Sequence, residues 1–179
     1  MIAIEEITCV DGPEFDTLFA SSLPALDSGT LPWAALTTAS PSFEEKRETL
    51  RARMAFLLSL PNVHGVLVKK NQVPLEILIG AFQTRDSYIT WLLAIYGPDA
   101  SGSKAWLYDR TYLQAFKDWL IAKWGVEGYR ILCVHGASLE DYHLNRKPKD
   151  GLYEVGLVKI EDDPKLPGVQ WSTIQYRYL

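Results

Sequence analysis

The chain contains few of the residues from which metal sites and disulfide frameworks are built. Its 179 residues include two cysteines and three histidines. Cys9 and Cys133 stand inside apolar, strand-like runs, a position typical of buried thiols that act as small hydrophobes. His64, His135 and His143 are scattered, and no cysteine stands at ligand spacing to any of them. We therefore expect neither a disulfide nor a metal site.

The sequence also lacks an excess of basic residues and a long hydrophobic run. A formal net charge of -4 and a pI near 5.4 give no general attraction to phosphate backbones. The longest apolar stretches, such as residues 91–96, are far below the ~20 residues that cross a bilayer. The first ten residues carry acids where a signal peptide needs a basic segment. We expect a cytoplasmic protein with neither a nucleic acid nor a membrane as partner.

The composition is that of an ordinary globular protein. Apolar residues make up 47% and charged residues 22%, and the length suits one domain over residues 1–179. Aromatic residues reach 12%, including six tryptophans and nine tyrosines. Such rings build either a core or a protein interface, and Trp106, in a loop before a helix, is the best interface candidate. A protein partner that binds an aromatic-rich face is therefore expected.

Hydrophobic periodicity and turn residues predict an alternation of strands and helices along the whole chain. A capping box, Ser42 with Glu45, marks the start of the second helix. The strand that follows the third helix indicates a β-α-β crossover, and hence a parallel pair of strands. In chain order the predicted elements are strand 2–10, a helix from Pro13 that ends at Leu23-Pro24, a loop at 27–32, the helix stopped by Pro61, strands 64–71, 74–85 and 87–97, helix 109–124, strand 129–134, helix 138–145, and strands 152–160 and 169–178.

This order of elements resembles the GNAT (general N-acetyltransferase) superfamily over nearly the whole chain. The most specific part runs from Ser87 to Val158, where the family has a strand, a pyrophosphate loop, a long helix, a strand and a short helix with an aromatic residue. The resemblance implies an α/β (α+β) fold, with a mixed, mostly antiparallel central sheet of about seven strands and four helices. We also expect Phe116, Leu120 and Ile131 to be buried together where the long helix packs on the sheet.

The pyrophosphate loop of this family is usually written Q/R-x-x-G-x-G/A. The resemblance places it at Asp99-Ala-Ser-Gly-Ser-Lys104, and implies that Gly102, Ser103 and Lys104 bind the cofactor, acetyl-CoA, if the chain is an enzyme. Glycines let the backbone approach the phosphates, and a helix N-terminus adds a favourable dipole. Here an acid, Asp99, stands at the basic or amide position, and Lys104 replaces the last small residue. An acid beside a diphosphate is repulsive, whereas Lys104 offsets it as a point charge.

The same resemblance implies candidates for proton transfer. Tyr142 stands where the family often has a tyrosine that protonates the leaving thiolate, and its alternative role is that of a core or surface aromatic. Glu76 and Glu140 are candidates for the base that deprotonates an amine, in a cleft that raises the carboxylate pKa toward neutrality. The alternative is that both glutamates are ordinary exposed carboxylates on a strand and a helix. His135, directly after a strand, is interpreted as a hydrogen-bonded strand-end residue.

Three hypotheses for the function follow. The first is a GNAT-like fold used without a cofactor as a binding or structural protein, similar to small GNAT-like virion or accessory proteins of short-tailed bacteriophages, in which case its location is the virion. The alternative is an active acetyl-CoA-dependent N-acyltransferase that acts on a primary amine. The third is an unrelated α+β domain. Under the first hypothesis, the loop is extended, covered by Trp106 or filled by a side chain such as Asp99, and no path joins it to Tyr142.

Overall fold

A computed structural model describes residues 1–27, 42–83, 85–145 and 151–179, and for residues 23–27 it describes the backbone alone. The seven strands are β1 (Ile2–Ile7), β2 (Val63–Lys70), β3 (Val73–Phe82), β4 (Tyr88–Tyr96), β5 (Gly128–Val134), β6 (Tyr153–Asp162) and β7 (Gln170–Tyr178). The four helices are α1 (Pro13–Asp27), α2 (Phe43–Leu58), α3 (Arg110–Trp124) and α4 (Ser138–Leu144). Among the described residues, no helix is both long and apolar enough to span a bilayer.

The seven strands form one sheet in the order β1-β2-β3-β4-β5-β7-β6. β1 pairs with β2, β5 with β7 and β6 with β7, all antiparallel. β4 and β5 are parallel, from Tyr88 opposite Gly128 to Trp91 opposite Ile131, and α3 lies between them in the chain. The predicted fold class and the predicted parallel pair are both confirmed.

Two predicted boundaries near the N-terminus are wrong. β1 ends at Ile7, so Cys9 lies beyond the strand and is exposed, whereas Cys133 is buried as expected; both are free thiols. α1 continues through Leu23-Pro24 to Asp27. Pro24 lies in the last turn of the helix, where its missing N–H costs one backbone hydrogen bond. Of the predicted loop at 27–32, residues 28–32 lie outside the described residues.

The predicted capping box begins α2. The Ser42 hydroxyl accepts the Glu45 N–H at 3.2 Å, and the Glu45 carboxylate accepts the Ser42 N–H at 2.6 Å. Both bonds satisfy N–H groups that have no partner inside the helix. They also hold the pKa of Glu45 below its usual range, chiefly through the backbone N–H of Ser42.

Two glycines fix the connection from α3 to β5. Gly125 ends α3 with φ +63°, the left-handed conformation that a glycine adopts without steric cost. Gly128 begins β5, and a Cβ atom there would lie 1.9 Å from the carbonyl oxygen of Tyr176 on β7. A side chain at position 128 would therefore force β5 away from β7.

The chain divides into two compact units, residues 1–79 with 93–106, and residues 80–92 with 107–179. The single-domain expectation stays a prediction. In the first unit, α1, α2 and strands β2 to β4 contribute aliphatic and aromatic side chains to one cluster. Its buried members are Val10, Phe15, Leu18, Phe19, Leu50, Met54, Leu57, Leu67, Ile77, Ile79 and Ile95.

The second unit has a core rich in aromatic rings. Tyr129 stacks on Tyr176 with ring centroids 4.7 Å apart, and Trp91 lies 6.0 Å from Phe116 of α3. Phe116 and Leu120 are buried, which confirms the predicted inward face of α3. The prediction that Ile131 is buried with them is wrong: Ile131 is only partly buried and packs against the cluster around Tyr176.

Candidate functional site

The loop after β4 is closed on itself by the carboxylate of Asp99. One oxygen of that carboxylate, Oδ1, accepts the N–H of Ser101 at 2.9 Å, the hydroxyl of Ser101 at 2.5 Å and the N–H of Ser103 at 3.3 Å. The N–H of Gly102 donates to the carbonyl of Asp99, and the N–H of Asp99 donates to the carbonyl of Ser103, both at 2.9 Å. The backbone N–H groups of Ser101, Gly102 and Ser103 are thus already used inside the loop.

These hydrogen bonds stabilise the charged form of Asp99. The pKa of Asp99 is lowered, first by the hydroxyl of Ser101 and then by its backbone N–H, with smaller contributions from Ser103 and the charge of Lys70. A carboxylate that accepts several N–H bonds stays ionised at neutral pH. The loop after β4 therefore holds a negative charge at neutral pH.

A short 3-10 helix, Ala105–Tyr108, separates this loop from α3. The Ser103 hydroxyl caps it by accepting the N–H of Ala105 at 3.0 Å. At the start of α3, the carboxylate of Asp109 accepts the N–H of Thr111 at 2.8 Å. A second acid thus occupies a donor at the helix N-terminus, the end that attracts anions.

Trp106, the best interface candidate among the tryptophans, takes the alternative position in the core. Its side chain is buried, and its indole Nε1 donates to the carbonyl of Gly97 at 2.9 Å. The ring is anchored directly after β4, because a buried indole N–H needs an acceptor and Gly97 supplies one. Lys104, two residues earlier, is exposed.

Tyr142 lies on α4 with 43% of its surface exposed. Its hydroxyl donates to the hydroxyl of Tyr108 at 2.6 Å. A phenol at the surface can exchange protons with a ligand, which the role of general acid requires. Tyr142 and the loop of Asp99 belong to different units, so the expectation that no path joins them stays a prediction.

The two candidate bases are both buried, contrary to the exposed alternative considered for them. Glu76 on β3 is 5% exposed, and Glu140 on α4 is 6% exposed. Glu76 belongs to the first unit, together with the loop of Asp99, whereas Glu140 belongs to the second unit, together with Tyr142. The predicted site residues therefore fall into two groups.

Glu140 is the centre of a polar cluster that connects β5, α4 and β7. Its carboxylate accepts the hydroxyl of Ser172, a side chain with no exposed surface, and the N–H of Gly136 at 3.3 Å. Nδ1 of His135 lies 3.0 Å from the same carboxylate and 3.1 Å from the Ser172 hydroxyl. Because an ionised carboxylate only accepts, Nδ1 of His135 carries the proton in this contact. The interpretation of His135 as a hydrogen-bonded strand-end residue agrees with these contacts.

The environment of Glu140 is the opposite of the one that a carboxylate base needs. Hydrogen bonds from Ser172 and then from His135 lower its pKa, and they outweigh the upward effect of burial. A general base that works near neutral pH needs a raised pKa. Glu140 therefore lacks the raised pKa that the role of base requires, because the donors around it favour the ionised form.

Sequence reasoning missed two members of these groups, Ser172 and Tyr108. Both reach their partners through tertiary structure: Ser172 lies opposite Cys133 in the β5-β7 pairing, and Tyr108 is 34 positions from Tyr142. No local signal in the sequence could have found them. Within the described ranges, no group of three or more His, Cys, Asp or Glu side chains is placed to hold a metal ion.

Comparison with solved structures gives full-length matches at low sequence identity. A protein assigned to the GNAT family from Desulfovibrio desulfuricans superposes with a TM-score of 0.55 and 9% identity, covering 99% of both chains. An acetyltransferase from Thermus thermophilus gives 0.54 and 16%, covering 99% of this chain and 97% of that one. PaiA N-acetyltransferase from Thermoplasma acidophilum, solved in complex with coenzyme A, gives 0.52 and 12%, covering 100% and 99%.

No family model matches the sequence, and a search of curated proteins found no match. At these identities the structural likeness shows the fold alone. The seven-stranded, mostly antiparallel sheet with four helices is thus the GNAT fold, as the order of elements in the sequence implied.

Proposed function

We propose that this chain uses the GNAT fold as a protein-binding or structural module, and that its loop after β4 does not hold acyl-CoA. One observation carries the proposal: the carboxylate of Asp99 accepts the N–H groups of Ser101 and Ser103. A diphosphate needs several backbone donors at once, and it is repelled by a fixed carboxylate at the same position. The predicted ligands Gly102, Ser103 and Lys104 therefore have no role with acyl-CoA in this proposal.

The second acid near the helix supports the same proposal. Asp109 caps α3, so the helix N-terminus also has a carboxylate on one of its donors. The 3-10 helix Ala105–Tyr108 lengthens the connection between the loop and α3, which moves the loop along the chain from the positive end of the helix dipole. A role in a bacteriophage virion, or as an accessory protein, rests on the sequence resemblance alone and stays a prediction.

The second candidate function is an acetyl-CoA-dependent N-acyltransferase that acts on a primary amine. The fold itself favours it, because proteins named acetyltransferases share this fold, and the structure of PaiA contains coenzyme A. The half-exposed side chain of Tyr142 also fits a general acid. A shared fold does not imply a shared function. In our proposal, the loop filled by the Asp99 carboxylate distinguishes this chain from the acetyltransferases of the same fold.

Thermal unfolding with and without acetyl-CoA tests the proposal. A ligand present at 100 times its Kd adds about 2.7 kcal/mol to the stability of the folded state. We expect the melting temperature of the wild-type protein to be unchanged by about 1 mM acetyl-CoA or CoA, a concentration 100 times a Kd of about 10 µM. A saturable increase, with release of thiol when a polyamine is added, would establish the acyltransferase instead.

The Asp99→Ala variant tests the cause of this result. Removing the carboxylate releases the N–H groups of Ser101 and Ser103 and removes the repulsive charge. Asp163→Ala is the matched control, because Asp163 accepts the N–H groups of Lys165 and Leu166 in a similar loop elsewhere. If Asp99 blocks the loop, CoA stabilises the Asp99→Ala protein and not the Asp163→Ala protein. Equal responses of the two variants would remove Asp99 as the cause.

A further inference from the structure

An open cleft lies between the end of β3, the segment that leads into β4 and the end of α3. Its volume is about 640 Å³, within the range of ~300–1,000 Å³ that small-molecule sites occupy. We call it the Arg85 cleft, and its lining includes Phe82, Arg85, Asp86, Lys123, Trp124 and Gly125. All of these residues belong to the second unit, and none belongs to the loop of Asp99 or to the cluster around Glu140.

The apolar wall of the Arg85 cleft is an indole ring that its neighbours hold in place. Trp124, the last residue of α3, is half-buried. Its ring makes two edge contacts, one with Phe82 at 5.5 Å between centroids and one with Trp119 at 5.2 Å. A Cβ atom at Gly125, the next residue, would meet no neighbouring atom within 4 Å. The cleft therefore combines a fixed aromatic wall with open space beside it.

The charges that line the Arg85 cleft leave it positive. Arg85 and Lys123 are both exposed and both line it. The carboxylate of Asp86, which also lines it, already accepts the guanidinium of Arg130 and the N–H of Tyr88 at 3.1 Å. The last carbonyl groups of α3 carry a partial negative charge, and Lys123 in the last turn offsets it. The guanidinium of Arg85 then gives the cleft its excess of positive charge, in a chain whose net charge is -4.

The backbone around Arg85 is fixed by its neighbours. Arg85 has φ +67°, a left-handed conformation that side chains other than those of glycine and asparagine rarely adopt. The N–H of Asp86 donates to the carbonyl of Gln83 at 3.1 Å, and the carbonyl of Ser87 accepts the N–H of Glu127 at 2.8 Å. The second bond ties the segment to the connection between α3 and β5. Because this backbone is ordered before a ligand arrives, binding costs less conformational entropy.

We propose that the Arg85 cleft binds a small aromatic carboxylate, with the flat ring against Trp124 and the carboxylate on Arg85. The planar guanidinium offers two parallel N–H donors, which match the two oxygens of a carboxylate. The ring packs on the indole and keeps water from one side of the ion pair, which strengthens the pair. Lys123 adds a second positive charge to the same cleft. This site goes beyond the proposed role as a protein-binding module and does not depend on it.

Three probes separate the contributions of ring and charge. The first is 2-naphthoate, which has both; the second is 2-naphthamide, which has the same ring without the charge; the third is acetate, which has the charge without the ring. NMR follows the indole N–H of Trp124 and the amides of Gly125 and Val126, three donors at the cleft. We expect 2-naphthoate to shift them saturably with a Kd of about 1 mM or below. Binding of 2-naphthamide should be at least about tenfold weaker, and acetate should give no saturable shift over the same range.

A matched pair of arginines tests the assignment to Arg85. Arg85→Gln should weaken binding of 2-naphthoate about tenfold or more, because a neutral amide replaces the charged fork. Lys123→Gln should weaken it by a smaller factor, because a lysine acts as a point charge. Arg53→Gln is the control: Arg53 is exposed and lies over the ring of Phe56 at 5.6 Å, but it belongs to the first unit and not to this cleft. The control should bind 2-naphthoate as the wild type does.

Four results would overturn the proposal. They are the absence of a saturable shift at residues 124–126 with 2-naphthoate, equal affinity for 2-naphthamide, unchanged affinity in Arg85→Gln, and an equal loss in Arg53→Gln. Resonances outside the cleft that stay unchanged in each variant show that it is folded. The outcome is independent of the CoA result, because CoA is tested through the loop of Asp99 and the aromatic carboxylate through residues 124–126.

Discussion

Two carboxylates follow the two parallel strands of the sheet, and they differ in how their partners are assembled. Asp99, in the loop after β4, takes its hydrogen bonds from Ser101 and Ser103, at most four positions away. Glu140, after β5, takes its main hydrogen bond from Ser172, 32 positions away and without exposed surface. The first arrangement is a local loop motif at the surface, and the second connects three elements of the fold. The same chemistry should therefore contribute to loop shape in one place and to stability in the other.

The largest effect on stability is expected in the helix that lies between these two carboxylates in the chain. Phe116 of α3 is buried and lies 6.0 Å, ring to ring, from Trp91 of β4. Phe116→Ala should lower the free energy of unfolding by ~3–5 kcal/mol, because it leaves a cavity in the core. Urea denaturation measures the change. A loss below ~1 kcal/mol on the same scale would mean that α3 does not pack through Phe116.

The same substitution at two serines compares the two carboxylates directly. Ser172→Ala removes a hydrogen bond to an ionised carboxylate in a buried cluster and should cost ~1.5–3 kcal/mol. Ser101→Ala removes a hydrogen bond to Asp99 at the surface and should cost less than ~0.5 kcal/mol. Chemical denaturation of both variants gives the comparison. Equal costs would show that the buried cluster contributes no more than the surface loop.

Acid pH should remove the contribution of the Glu140 carboxylate to the stability of the folded state. The pKa of Glu140 is lowered in the folded state, first by the hydroxyl of Ser172, so its contribution is present above the unfolded-state pKa and is lost as the pH falls through the folded-state pKa. Glu140→Gln should therefore lose less stability than the wild type between neutral pH and acid pH. Denaturation midpoints over this range measure the slope. Identical slopes for variant and wild type would contradict the lowered pKa.

The distinction between local and tertiary contacts also explains how much the sequence could predict. Residues close in the chain set the capping box of α2, the Asp109–Gly125 bounds of α3 and the succession of strands and helices along the chain. All three features were predictable. The location of Ser172 beside Glu140 depends on the register of β5 against β7, and no local pattern encodes that register. Trp106 was open to either a core or an interface position, and the acceptor of its indole, the carbonyl of Gly97, lies nine positions away, directly after β4.

The proposed absence of acyl-CoA binding depends most on the state of the N–H groups in the loop of Asp99. Amide resonances of Ser101, Gly102 and Ser103, followed by NMR while CoA is added to about 1 mM, report on these groups one by one; this concentration is far above a micromolar Kd. We predict that the three resonances do not move, because the carboxylate and carbonyl of Asp99 already accept these protons. A saturable shift of all three together would contradict the account and would favour the acyltransferase.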